Sequence, residues 1–316
     1  MRIEYHRTLI ADRPRNRAFK EALARVIEKG KTTVADIGAG TGLIGLVASR
    51  LGAREVHLYE VAEVGAVAAE VLKRNRVRNC HLMPCHSTEA VDPPRVDVVV
   101  SETLGNYAFE ENIIATLADA RQRHLKPGGT LIPSRVRQFV APVVASRFHD
   151  ELLAWDSVGA DLGLGIDYEV ARTMSLNNIY VRRIANADLL DDGASALCWD
   201  TADLTRECSS ERKGEVRWAL TRPATVYGFA VWWEAELVAG VSLSTAPDAE
   251  PTHWEQLYFP LLTPITAAAG EGVGLTLRSR SSEDAGTHLA WKAAHLDAKG
   301  KALARQSLDL DRGYLP

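Results

Sequence analysis

Four cysteines in 316 residues, with no Cys-x-x-Cys pair, are too few for a disulfide framework and wrongly spaced for a zinc site. Cys80, Cys85, Cys198 and Cys208 therefore read as unreactive thiols of a reducing cytosol, and no metal is expected. No apolar run reaches the ~18 residues that span a bilayer. The start, Met1-Arg2-Ile3-Glu4-Tyr5-His6-Arg7, lacks the apolar centre of a secretory signal, so a cytoplasmic protein away from membranes is expected. A cationic surplus is missing too: 37 Lys and Arg against 41 Asp and Glu give a net charge of -4, which excludes a polycationic face for direct nucleic-acid binding. What remains is an ordinary soluble composition, 46% hydrophobic and 25% charged, long enough for two domains.

The first 130 or so residues alternate short apolar runs with helical patterns. Strands are expected at 33–37, 55–60, 80–83 and 96–101, and helices at 42–51, 62–77 and 111–124. Lys126-Pro127-Gly128-Gly129 reads as a turn before a last strand, Thr130-Leu131-Ile132. Such alternation implies a parallel, Rossmann-like sheet covered on both faces. After Pro133 the texture changes to valine- and tryptophan-rich period-two stretches, as in Thr225 to Trp233, the pattern of an antiparallel β domain. The expected organisation is therefore 1–133 for a Rossmann-like α/β domain and 134–316 for a β domain, with a polar insertion at about 155–192.

Two places carry chemistry. Asp36-Ile37-Gly38-Ala39-Gly40-Thr41-Gly42 falls between the first strand and the first helix, where glycines let the backbone turn tightly against a ligand. A dinucleotide fingerprint needs a third glycine where Leu43 stands, which argues against NAD. The second place is Ser101-Glu102-Thr103-Leu104-Gly105 through Glu110-Glu111, three carboxylates after the apolar strand 96–100. Burying them unpaired costs several kcal/mol each, so a cationic ligand is expected there.

The glycine loop resembles the Asp-x-Gly-x-Gly-x-Gly loop of class I S-adenosylmethionine-dependent methyltransferases, with Glu60, at the end of the second strand, on the ribose hydroxyls. Ser101-Glu102-x-x-Gly105 closing at Glu111 resembles the double-glutamate loop of the protein arginine methyltransferases, and Pro251-Thr252-His253-Trp254 is similar to that family's Thr-His-Trp loop. His6 through Arg15 resembles the segment preceding its cofactor domain. The resemblance implies a class I methyltransferase domain followed by an antiparallel β-barrel, with the insertion as a helical dimerisation arm and hence a homodimer. It assigns Glu102, Glu111, His253 and Asp12 to catalysis, and Glu102, Glu111 and Trp254 to the substrate. His6, Arg15, Asp36, Gly38, Gly40, Glu60 and the wall Ser87, Thr88, Glu89 go to S-adenosyl-L-methionine and its product S-adenosyl-L-homocysteine. Glu110 has no counterpart in the pair.

The chemistry explains these residue types. A guanidinium is delocalised and a poor nucleophile, and two ionised carboxylates can fork it, aim one nitrogen at the methyl and bias charge onto the others. The implied activity is methylation of a guanidino nitrogen of arginine, either within a protein or peptide or as free L-arginine. Another small-molecule or ribosomal acceptor, and a non-catalytic scaffold, are the alternatives. Members usually begin with a helix bearing Tyr-Phe-x-x-Tyr; with Met1 so close to His6 that helix is expected to be absent, leaving Tyr5 as the sole aromatic. Leu9 and Ile113 stand where asymmetric dimethylating members place methionines, which leaves mono- and dimethylarginine both open.

Overall fold

The structure is a computed structural model that describes residues 3–313; Met1 and Arg2 of the N-terminal reading lie outside it. Helix α1 (Ile3–Ala11) leads to Asp12, which N-caps α2 (Arg13–Val26) by accepting the Arg15 amide at 3.0 Å. Pro14 sits in the first turn of α2, where a missing N–H removes no helical bond. Ala18, Phe19, Ala22 and Leu23 form the buried stripe of this helix.

The parallel sheet comprises β1 (Thr33–Ile37), β2 (Glu55–Tyr59), β3 (Cys80–Met83), β4 (Val96–Ser101) and β5 (Leu125–Ile132), in the order β3-β2-β1-β4-β5. Helices α3 (Leu43–Arg50), α4 (Gly65–Arg74) and α5 (Ile113–Arg123) make the crossovers. All five residues of β1 are buried, and so are five of the six of β4, as befits central strands covered on both faces. Strand order reverses between β1 and β4, so the crevice beyond their carboxyl ends is where such a sheet accommodates a ligand. The expected turn at 126–129 lies inside β5: Val96 pairs with Leu125 but Val98 with Thr130, so the glycines bulge out of a continuing strand, Gly128 at φ +77°.

Beyond Ile132 every pairing is antiparallel. One sheet takes β6 (Arg135–Val143), β7 (Tyr180–Arg182), β8 (Leu197–Asp203), β10 (Ala224–Val238) and β12 (Gln256–Ala267) in the order β7-β12-β10-β6-β8, with β11 (Val241–Ser244) beside β10. The other takes β9 (Glu211–Ala219), β13 (Gly272–Ser282), β14 (Gly286–Leu296) and β15 (Ala302–Asp309) in the order β15-β14-β13-β9. The insertion differs from its expected extent. Its helices α6 (Arg147–Leu152), α7 (Trp155–Leu162) and α8 (Glu169–Leu176) begin earlier and end sooner than 155–192, because Tyr180–Arg182 already pairs with β12. No helix of the described residues is long and apolar enough to cross a membrane.

Candidate active site

A cavity of about 340 Å³ opens beyond β1 and β4 and draws its walls from α1, the glycine loop, the end of β2 and the double-glutamate loop. Gly38, Gly40 and Gly42 all have positive φ, at 71°, 55° and 81°. At Gly38 a Cβ would meet the Thr103 methyl at 2.6 Å, so this glycine is required both by conformation and by the closeness of the two loops. Asp36 does not line the cavity; its Oδ2 accepts the Gly45 amide at 2.7 Å and so ties the end of β1 to the first turn of α3. Burial pushes its carboxyl up to about 7 against that hydrogen bond. Glu60 accepts the Gly40 amide at 2.7 Å and the Ala62 amide at 2.8 Å, which fixes its carboxylate on the cavity rim.

Three buried polar atoms on residues that line this cavity have no partner among the described residues: Nε2 of His6, the hydroxyl of Tyr59 and Oγ of Ser87. Orphaned groups of this kind cost about 1–3 kcal/mol each unless a ligand satisfies them. Thr88 and Glu89 do not line the cavity; they are exposed on the outer side of a 3-10 turn, and Thr88 is bound instead to His86 Nδ1 at 2.6 Å. Of the three residues of this turn only Ser87 is turned inward, so the side chains of Thr88 and Glu89 give the cavity no wall.

Asp12 joins distant parts of the chain. Besides capping α2, its Oδ2 accepts the His253 amide at 2.8 Å and meets His253 Nδ1 at 2.7 Å. Burial works to raise the Asp12 carboxyl but is outweighed by the hydrogen bonds from His253 and Arg15, which hold it below its ordinary range. Arg15, also buried, donates through Nε to Glu102 Oε2 at 2.5 Å, with its Nη2 on the same oxygen. The two residues expected for the cofactor carboxylate and for the guanidinium thus hold each other. Glu102 Oε1 stays outside that pair, with only a long 3.4 Å approach from the Leu104 amide. Burial raises the Glu102 carboxyl, and Arg15 opposes it.

Glu111 lines the same cavity without a cationic partner among the described residues, and burial with the carboxylates of Glu102, Glu110 and Glu60 pushes it up to about 7. Glu110 also lines the cavity and folds back over Gly105, its side chain filling the space a Cβ there would take. Trp254, expected at the substrate, is not among the lining residues: its indole is buried and donates to the Leu104 carbonyl at 2.8 Å, supporting the loop from below. Leu9 lines the cavity, whereas Ile113 is wholly buried in the core and gives acceptor room no direct wall. Tyr59, Cys85, Thr116 and Asn106 also line the cavity, which no motif in the sequence indicates. Only the position of Tyr59 at the end of a strand signalled it.

This arrangement has close relatives. Residues 135–294 match the model of the arginine methyltransferase oligomerization subdomain, and residues 20–157 match that of ribosomal protein L11 methyltransferase. Protein arginine N-methyltransferase 6 of Xenopus tropicalis is 31% identical over 262 residues, covering 80% of this chain and 77% of that protein. The chain belongs to the protein arginine methyltransferase family. A second member of similar likeness, the arginine N(omega)-methyltransferase of Streptomyces achromogenes subsp. streptozoticus, is 31% identical over 287 residues, covering 86% of this chain and 75% of that protein. Among solved structures, the Trypanosoma brucei PRMT1 enzyme-prozyme heterotetrameric complex with AdoHcy superposes with a TM-score of 0.85 at 21% identity, over 96% of this chain and 97% of that one. Arabidopsis thaliana protein arginine methyltransferase 10, in an open conformation, gives 0.79 at 20% identity over 98% and 97%. Both share the arginine methyltransferase fold seen here.

Proposed function

We propose that the protein is an S-adenosylmethionine-dependent arginine N-methyltransferase acting on a guanidino nitrogen. The observation that carries this reading is one cavity in which Glu102 and Glu111 lie beyond the glycine loop and Glu60. The bound cofactor supplies an electrophilic methyl on a sulfonium. Its adenosine half fits Glu60 and the orphaned Ser87 hydroxyl, and its amino-acid tail fits Arg15 and His6. Glu102 Oε1 and the Glu111 carboxylate fork the acceptor guanidinium and orient one nitrogen, work done by position and charge rather than by bond-making on the protein. The proton shed by the methylated product passes to Glu111, whose carboxyl near 7 takes and releases it close to neutrality. His253, held by Asp12 through Nδ1, stays fixed beside Glu102.

We assign residues 1–133 to the cofactor and 134–316 to the acceptor. The two antiparallel sheets are read as a barrel, since Gln306 of β15 accepts the Leu262 and Thr263 amides of β12 and β8 runs on to β9. Cytoplasmic residence suits the four free thiols. The acceptor is arginine in a peptide or free arginine. Incubation with cofactor labelled on its methyl group, in the presence of an arginine-rich peptide or of L-arginine, is expected to yield methylarginine after acid hydrolysis of the labelled product. Label on another residue or another metabolite would displace the reading, and mass spectrometry gives the number of methyl groups.

A homodimer through the helical arm is part of the same proposal. Trp155, Leu162, Leu164, Ile166, Val170 and Met174 are exposed on or between α7 and α8, an apolar surface unusual for an isolated subunit. Light scattering after size exclusion is expected to give twice the monomer mass, and Val170→Glu with Met174→Glu to give the monomer. A wild-type monomer at micromolar concentration would remove the arm from the argument.

A further inference from the structure

We infer that Trp233 and its cross-strand partner Gln138 are positioning residues that set the geometry of the two glutamates. Neither lines the cavity. They are Cα partners in the β10–β6 pairing and both are buried, Trp233 completely. From these neighbouring places they grip the double-glutamate loop on either side of Asn106. The Trp233 indole N–H donates to the Gly105 carbonyl at 3.0 Å, and the Gln138 amide donates to the Tyr107 hydroxyl at 3.0 Å. The Tyr107 hydroxyl is also hydrogen-bonded to Ser279 Oγ at 2.5 Å, tying the loop to β13 in the second sheet.

Other bonds complete the grip. Trp254 packs edge-on against Trp233 at 5.0 Å between ring centroids and donates to the preceding carbonyl, Leu104, while Asn106 Oδ1 accepts the Glu255 amide at 3.0 Å. Four successive loop residues, 104 to 107, are thus fixed by the β domain, although the glutamates flanking them belong to the cofactor half. A 1 Å slip in such a loop is enough to cost ~10²-fold in rate, because aligned attack tolerates little displacement. The β domain therefore acts on the reaction through this loop, holding the carbonyls of Leu104 and Gly105 and the side chains of Asn106 and Tyr107, and Trp233 supplies the donor to the Gly105 carbonyl.

The inference rests on the methyltransferase reading above, and the test separates the two. Trp233→Phe keeps the aromatic volume and removes the donor. Trp291→Phe is the control, since Trp291 is as completely buried and donates to the Pro260 carbonyl at 2.8 Å, remote from the cavity. Trp233→Phe is expected to lower kcat by ~10-fold, with calorimetric affinity for S-adenosylhomocysteine changed less than twofold. It is also expected to move the low-pH break of kcat/KM down toward the ordinary carboxylate range, as a loosened loop exposes Glu111 to water and lets it move away from Glu102. Trp291→Phe should lower Tm comparably and leave kcat within twofold. Equal kcat losses in both variants, or none in Trp233→Phe, would overturn the inference. Should Trp233→Phe not fold, Gln138→Met carries the same test with the same outcomes. A wild type that transfers no methyl to any arginine compound would instead sink the functional reading.

Discussion

Glu102→Gln is expected to lower kcat by about 10³-fold or more while the affinity for S-adenosylhomocysteine, measured by calorimetry, changes by less than threefold. The substitution is nearly isosteric and leaves an amide oxygen to accept from Arg15, so the buried contact with α2 survives in shape. What disappears is the negative charge at the other oxygen, Oε1, the one Arg15 does not occupy. A neutral amide also turns an N–H toward the cationic acceptor, so an attraction becomes a repulsion at the reacting nitrogen. A variant that keeps a tenth of wild-type kcat would take Glu102 out of the catalytic pair. One that loses cofactor affinity in step with kcat would show that its main task is to hold Arg15.

The second large effect is a pH dependence set by Glu111. Its carboxyl must be ionised to receive a guanidinium, and in the free enzyme burial and three neighbouring carboxylates push it up to about 7. The protonated, inactive form therefore gains as pH falls through 7. kcat/KM is expected to decline about tenfold per pH unit below that value. Bound substrate and cofactor bring positive charge, which favours the ionised carboxylate, so the break in kcat should lie lower than the break in kcat/KM. Glu111→Gln should abolish the break together with most of the rate. Initial rates from pH 5.5 to 8.5 decide it: a flat kcat/KM across that range would exclude Glu111 as the titrating group.

Periodicity made the parallel half legible almost residue by residue. Thr33–Ile37, Cys80–Met83 and Val96–Ser101 are strands with the expected bounds, because continuous apolar runs flanked by turn residues leave little else to form. The glycines at 128 and 129 misled, since turn chemistry looks the same in a bulge as at a strand end. The residues of the site were found by motif, and the structure gathers most of them around one cavity. Their partners were not legible. That Asp12 reaches His253 across 241 positions, or that Arg15 lies on Glu102, depends on how α2 packs between the two halves, and one-dimensional spacing does not encode this. The misassignment of Trp254 has the same origin: a motif names a residue but not the direction in which its ring points.

Gly105 has no room for a Cβ, because the side chain of Glu110 already fills that space. Positions 105 and 110 therefore share a single volume at the acceptor end of the cavity. A designer who wants a bulkier acceptor, or a smaller one, cannot alter either residue alone. Any side chain added at 105 has to be matched by atoms removed at 110, and a library that varies the two together is the one expected to yield folded variants with a reshaped pocket.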